Sequence, residues 1–235
     1  MGKRGKNYVA AAKPIEREKL YTPDEALALV CGDHHAKFDE TVDIALRLGV
    51  DPRHGEQMVR GTVVLPHGTG KSPRIAAFAK GERAAEAEAA GADMVGAEDL
   101  VQRIEGGWKD FDLLVATRDM MSIVGRLGKR LGPRMPNPKS GTLSDEIGKT
   151  IRELKSGKLE FRMEKAGIIH APLGKVSFGP ERLKENLTAL LTAVLRARPP
   201  AAKGQFLRKV TISATMGPGI SIDPAEAIAL GSGSE

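Results

Sequence analysis

Hydrophobic and polar positions alternate over Thr41–Leu48, with Val42, Ile44, Leu46 and Leu48 apolar and Thr41, Asp43 and Arg47 polar. A period of two predicts a half-buried antiparallel strand. Upstream, Thr22-Pro23-Asp24-Glu25 has the form of a capping box with proline at the first helical position, which opens a helix to about Val30. The alternation returns over Leu159–Glu164, turns at Ala166-Gly167 and starts a new strand at Ile168. Gly174–Phe178 reads as a strand with Val176 and Phe178 inward and Lys175 and Ser177 outward. Pro180 and Glu181 then open a helix whose Leu183, Leu187, Leu190, Leu191, Val194 and Leu195 form one stripe, ended by Pro199-Pro200. A last strand places Val210, Ile212, Ala214 and Met216 on one face and Lys209, Thr211, Ser213 and Thr215 on the other. Gly231-Ser232-Gly233-Ser234-Glu235 reads as a flexible end.

The middle of the chain follows another pattern. Val59–Leu65, Arg74–Ala79, Asp93–Ala97 and Asp112–Ala116 are strand-like, the later ones nearly continuous in apolar residues. Between and after them come helical stretches at Glu82–Ala90, Asp99–Ile104, Asp119–Leu131 and Asp145–Lys155, the last with Ser144 as its expected cap. Strands alternating with short helices predict a three-layer α/β unit with a mostly parallel sheet. The simplest architecture is an α+β domain made of both chain ends, 1–66 and 157–235, with an α/β domain inserted at 67–156. Two sequential domains fit the pattern as well.

Composition adds bounds. The chain has 235 residues, enough for one large or two small domains. No apolar run approaches the ~20 residues of a membrane helix. Met1–Lys6 carries charge with no apolar stretch behind it, unlike a secretory signal. The single cysteine, Cys31, excludes an internal disulfide and a multi-cysteine zinc site, and it fits a reducing cytoplasm.

Net charge is +6, unevenly spread. Lys149–Lys209 holds fourteen Lys/Arg against five Asp/Glu, a local +9, which leaves −3 for the rest. Such a surplus is the footprint of a nucleic-acid partner, although a lysine-rich solvated face gives the same count. A second basic cluster, Arg126, Lys129, Arg130, Arg134 and Lys139, lies in the Gly/Pro-rich stretch 127–139. Its three prolines in six residues predict an exposed, non-helical loop. It is either a second RNA contact or an ordinary basic loop.

Enzyme signatures fail on inspection. Gly68-Thr69-Gly70-Lys71-Ser72 resembles the end of a phosphate-binding loop. The first glycine of that motif is replaced by Leu65, and Pro73 with a strand follows where a helix is required. No dinucleotide glycine fingerprint follows a strand. His34 and His35 are adjacent and cannot share a helix face, and His54, His67 and His170 lack ligands at metal spacing. No catalytic residue, metal or cofactor is expected, and the competing class is an α/β enzyme holding a phosphorylated small ligand in the middle domain.

The flanking strands carry the candidate chemistry. Lys209, Thr211, Ser213 and Thr215 share one strand face, Lys175 and Ser177 precede the long helix, and Thr41 follows Lys37-Phe38. Lysines neutralise phosphates, and hydroxyls pair with phosphate oxygens and ribose 2′-OH groups. Phe38 could stack on a base or ribose, and Thr215-Met216-Gly217-Pro218-Gly219 forms a turn where glycine admits close backbone approach. Singly, each has a commonplace alternative as strand surface or core. Together with the charge they favour RNA.

At these residues the chain resembles the bacterial ribosomal protein L-one family. The likeness is carried by Ala36–Val42, Val59–Lys71, Gly91-Ala92-Asp93, Leu131–Lys139, Gly167–Lys175 and Thr215-Met216-Gly217-Pro218, in order from about Tyr21 to Ile222. The resemblance implies a discontinuous RNA-binding domain with an inserted Rossmann-like domain, a non-catalytic protein of the cytoplasmic ribosome. It implies three RNA partners: the stalk helices of large-subunit (23S) ribosomal RNA, deacylated tRNA leaving the E site, and the protein's own mRNA, which it would repress. Off the ribosome a monomer is expected. Matching positions imply RNA contacts at Lys37, Phe38, Thr41, His170, Lys175, Ser177, Thr215, Met216, Gly217 and Pro218. Lys209, Thr211 and Ser213 rest on the strand-face argument. Where the family has two more residues, typically Gly-Leu, this chain joins Arg134 directly to Met135.

Overall fold

A computed structural model describes residues 5–16, 18–32 and 36–233. The readings above of Met1–Arg4, of the His34-His35 pair and of Ser234-Glu235 lie outside the described residues. The chain runs through α1 (Lys6–Ala12), α2 (Pro23–Gly32), β1 (Thr41–Leu48), β2 (Arg60–Val64), β3 (Ile75–Phe78), α3 (Glu82–Ala89) and β4 (Met94–Gly96). It continues with α4 (Glu98–Glu105), β5 (Leu113–Ala116), α5 (Met121–Val124), α6 (Gly128–Leu131), α7 (Ile147–Lys155) and β6 (Lys158–Arg162). It closes with β7 (Ile168–Lys175), α8 (Gly179–Arg196), β8 (Leu207–Ala214), β9 (Ile220–Ile222) and α9 (Pro224–Ser232). These elements form two compact units, one running up to Gly70 and resuming at Leu159, the other Lys71–Lys158.

In the first unit an antiparallel sheet has the order β7-β1-β8-β9, and β2 pairs with β6 in a smaller sheet. Val42, Ile44 and Leu46 of β1 and Val210 and Ile212 of β8 bury one face of the large sheet beneath Leu27 of α2 and Leu183, Leu187 and Leu190 of α8. The capping box at α2 is present: Glu25 N donates to Thr22 Oγ1 at 3.2 Å, and Thr22 N donates to Glu25 Oε2 at 3.3 Å. Within the apolar stripe of α8 sits Asn186, fully buried. Its Nδ2 donates to Leu173 O at 2.7 Å and Gly68 O at 3.0 Å, and its Oδ1 accepts from His67 N at 3.0 Å.

Two bulges shape the sheet. Leu173 is the extra residue on β7 between Val42 and Asp43, beside Pro172, which an edge strand tolerates. Arg208 is the extra residue on β8 opposite the Arg47/Leu48 step.

In the second unit the parallel sheet has the order β4-β3-β5. Successive residues of β3 enter different cores. Ile75 and Ala77 join Ile147 and Ile151, whereas Ala76 and Phe78 join Leu100, Ile104 and Met120. A strand covered on both faces has no polar positions, which is why these strands read as apolar runs rather than alternating ones.

Several expectations are corrected. Gly174–Phe178 is not a strand: β7 ends at Lys175, and Val176–Phe178 is a 3-10 turn leading into Gly179 and Pro180. The last strand ends at Ala214, so Met216 does not face the core. Asp119–Leu131 is a series of short α and 3-10 segments broken at Gly125 and Gly128, residues that weaken a helix interior. The proline-rich stretch forms 3-10 turns at Gly132–Arg134 and Pro138–Ser140, because proline's fixed φ fits a 3-10 turn. Pro136 is buried there. Ser144 lies two residues before the N-cap Glu146 of α7, and its Oγ accepts from Glu146 N at 3.2 Å. Gly231 and Ser232 belong to α9, and Gly231 lets that helix approach α8 closely: a Cβ would stand 2.9 Å from Leu195 Cδ1.

Candidate nucleic-acid interface

The polar face of the large sheet is arranged in rows set by register. Thr41 lies opposite Lys175, and Asp43 lies between Pro172 and Ser213. Ala45 lies between His170 and Thr211, which in turn faces Ser221. Arg47 faces Lys209. His170, Thr211, Ser213 and Lys209 therefore share one face, as their alternation predicts. Lys209 is six residues along β1 from the Thr41 row, about 20 Å away at ~3.3 Å per residue.

At the Thr41 end three stretches of chain meet, 39–41, 175–177 and 214–217. Thr215 N donates to Thr41 O at 3.0 Å. Thr215 Oγ1 accepts from Thr41 N at 3.1 Å and donates to Thr41 O at 3.2 Å, fastening the turn after β8 to the start of β1. Lys175 Nζ donates to Asp39 O at 3.1 Å and Thr41 Oγ1 at 3.0 Å. Ser177 lies in the 3-10 turn rather than on the sheet, and reaches the same cluster through Asp39: its Oγ donates to Oδ2 at 2.7 Å and its N to Oδ1 at 3.2 Å. Met216 N donates to Glu40 Oε2 at 2.8 Å, and Glu40 is only 2% exposed. Gly217 N closes the turn onto Ala214 O at 3.0 Å. Gly217 needs no left-handed backbone; a Cβ there would stand 3.3 Å from that of Ala214.

Beside this polar set two large apolar side chains face outward, Phe38 at 57% and Met216 at 64% exposure. They line a hollow of about 370 Å³ with Tyr8 and Ala11 of α1 and with Gly217. Exposed Lys37 precedes Phe38, and half-exposed Pro218 follows Gly217.

The chemistry is mixed donor and acceptor. An ammonium has three N–H donors, so Lys175 keeps one beyond its two protein partners. Thr41 Oγ1 accepts from Lys175, which leaves its own O–H to donate outward. Thr215 and Ser177 spend their O–H groups inside the protein and present lone pairs. A ribose 2′-OH, both donor and acceptor, matches such a surface.

Asp39 and Glu40 are the residues that sequence reasoning missed. Two adjacent carboxylates in a basic site look unfavourable for RNA, yet they organise its turns. Their position directly before the first residue of a strand is the available signal.

The other basic cluster behaves differently. Arg134 Nη1 donates to Phe111 O at 2.8 Å and Lys109 O at 3.3 Å, and its guanidinium lies 5.6 Å from the Phe111 ring centre. Arg130 Nη1 donates to Glu105 O at the end of α4. These two arginines serve the fold of the second unit. The side chain of Lys139 lies outside the described residues. Among the described residues no three His, Cys, Asp or Glu converge as metal ligands. No helix among them is long and apolar enough to cross a membrane.

A family model described as Ribosomal protein L1p/L10e family matches residues 30–218. The match spans β1 through the Thr215–Pro218 turn and takes in every piece of the polar cluster. The chain accordingly belongs to the ribosomal protein L1 family, proteins of the large ribosomal subunit that bind its RNA.

Proposed function

We propose that the Thr41 end of the sheet grips the side-stalk helices of large-subunit ribosomal RNA. Lys37, Phe38, Thr41, His170, Lys175, Ser177, Thr215, Met216, Gly217 and Pro218 supply the contacts, with Thr211, Ser213 and Lys209 further along the same face. The observation that carries the reading is the pairing of a prearranged hydroxyl–ammonium set with two exposed apolar side chains. Hydroxyls held by intrachain bonds lose little freedom on binding, and Phe38 and Met216 offer surfaces for stacking or ribose packing. Recognition is by shape, phosphates and 2′-OH groups, with few base edges.

On this reading the unit Lys71–Lys158 is an inserted domain that the RNA-gripping unit carries. The protein assists departure of deacylated tRNA from the E site and represses its own mRNA by offering the same surface to a mimic of the stalk. It acts as a monomer off the ribosome and catalyses no reaction.

The test is binding to a stalk RNA fragment, titrated across salt, beside an unrelated hairpin of equal length. A preference for the stalk of orders of magnitude at physiological salt is expected. Equal affinities that vanish together as salt rises would reduce the interaction to generic charge. A competition in which the protein's own leader mRNA fails to displace stalk RNA would remove the repressor role.

A further inference from the structure

The charge surplus is not where the hydroxyls are. At the Thr41 end, Lys37 and Lys175 stand beside Asp39 and Glu40, so the local balance is near neutral. Four cations without carboxylate partners among the described residues gather at the opposite end of the same sheet. There a groove of about 750 Å³ opens between 49–57, 165–166 and 201–208. Arg53, Lys165, Lys203 and Arg208 line it and are exposed. Asp51 is the carboxylate in its wall, and its Oδ1 accepts from Arg53 N at 3.0 Å.

Among the described residues no carboxylate lies within ion-pair distance of any of the four cations. Elsewhere Arg74 pairs with Asp110, Arg83 with Asp119, Lys158 with Glu153 and Lys184 with Asp24. At the groove's edge Arg47 and Lys209 face each other across β1 and β8, a like-charge pair that costs stability in a bare sheet.

The groove is built rather than fortuitous. The bulge at Arg208 breaks the alternation so that Arg208 and Lys209 are both exposed. Arg198 Nη2 donates to Ala202 O at 3.2 Å and Gly204 O at 3.3 Å and fixes the loop that carries Lys203. Asp51 N donates to Gln57 Oε1 at 2.8 Å and fixes the loop that carries Arg53. Gly49 lies so close to the loop that carries Lys203 that a Cβ would stand 2.1 Å from Gln205 O.

We propose that this groove is a second phosphate cradle, holding the backbone of the same RNA that the Thr41 end grips. The proposal rests on the RNA reading above and extends it. The two ends are about 20 Å apart along β1. Strand phosphates of a duplex recur every few ångströms along its axis, so one stalk helix has several phosphates in that distance and can touch both ends. Division of labour follows: the Thr41 end selects the RNA, and the groove supplies the salt-dependent hold.

The experiment compares the full chain with a triple variant, Arg53→Gln, Lys203→Gln and Arg208→Gln, and with Phe38→Ala. Each binds the stalk RNA fragment and the unrelated hairpin over a range of salt, and circular dichroism checks folding. The triple variant should bind at least tenfold more weakly at physiological salt, with the slope of log K against log salt reduced by about 2 to 3, near one per phosphate contact. Lys149→Gln, in the other unit, should leave affinity and slope unchanged. Phe38→Ala should lose affinity for the stalk at an unchanged slope. A triple variant with the wild-type slope on both RNAs overturns the cradle. If the wild type shows no preference for the stalk while the triple variant still loses slope, the Thr41 site is wrong and the cradle stands.

Discussion

Replacing Phe38 by alanine separates binding from folding at the proposed RNA site. The ring is 57% exposed, so less than half of its surface is covered in the free protein. Full burial of such a side chain contributes ~1.5–3 kcal/mol, and the covered fraction here therefore amounts to about 1 kcal/mol. For a chain of this size that lowers the melting temperature by a few degrees. Stacking or ribose packing on an exposed aromatic contributes ~1–3 kcal/mol, a loss of roughly 5- to 150-fold in affinity for stalk RNA. No hydrogen bond of the Asp39–Thr41–Lys175–Thr215 cluster involves the Phe38 side chain, so that scaffold should persist. Fluorescence anisotropy at two salt concentrations measures affinity, and a thermal melt measures stability. An unchanged affinity, with folding intact, would refute the assignment of this surface.

Thr215→Val should do both kinds of damage. It removes two intrachain bonds to Thr41 worth about 1 kcal/mol each in stability, and it should weaken RNA binding at least tenfold; a loss confined to stability would make Thr215 purely structural. Asn186→Ala strips partners from Leu173 O, Gly68 O and His67 N and should cost about 3 kcal/mol in a urea melt, whereas a cost below about 1 kcal/mol would contradict the buried network. In the second unit the Arg74 backbone N–H, first, and the Arg74 charge hold the Asp112 carboxyl below the ordinary value of about 3.9. A lowered folded-state value means stability present above the unfolded value and lost as pH falls through the folded one, so Asp112→Asn should flatten the acid limb of the stability profile below about pH 4. An acid limb identical in wild type and variant would disprove the linkage.

Local rules made much of this architecture readable. The alternation of Val42, Ile44, Leu46 and Leu48 and the capping box at Thr22 each depend on a few neighbouring residues, and both stand in the structure. Lys175 to Phe178 misleads because a 3-10 turn leading into Gly179 and Pro180 also leaves alternate residues covered. Leu207-Arg208-Lys209-Val210 shows two charged residues in succession inside a strand, a visible sign of the bulge that the alternation argument passes over. In the site, residue types were legible and their partners were not. That Asp39 would restrain Ser177, 138 positions away, and Glu40 the Met216 amide follows from the pairing of β1 with β7 and β8, which no local pattern encodes. The arginines of the proline-rich stretch look like ligand-binding groups in sequence and prove to cap carbonyls of their own unit.

The strand order β7-β1-β8-β9 also sets a timetable for synthesis. The strand Thr41–Leu48 is made early, yet Val42 is paired with Ala214, 172 residues later. The unit Lys71–Lys158 draws its contacts from one continuous stretch and can close while the chain is still growing. Another 56 residues separate Lys158 from Ala214, roughly 3–11 s at ~5–20 residues per second. Throughout that interval an alternating apolar strand waits with an open hydrogen-bonding edge, the state most exposed to misassociation. Nascent chains arrested shortly before Ala214 should therefore carry a folded middle unit and an unprotected N-terminal segment.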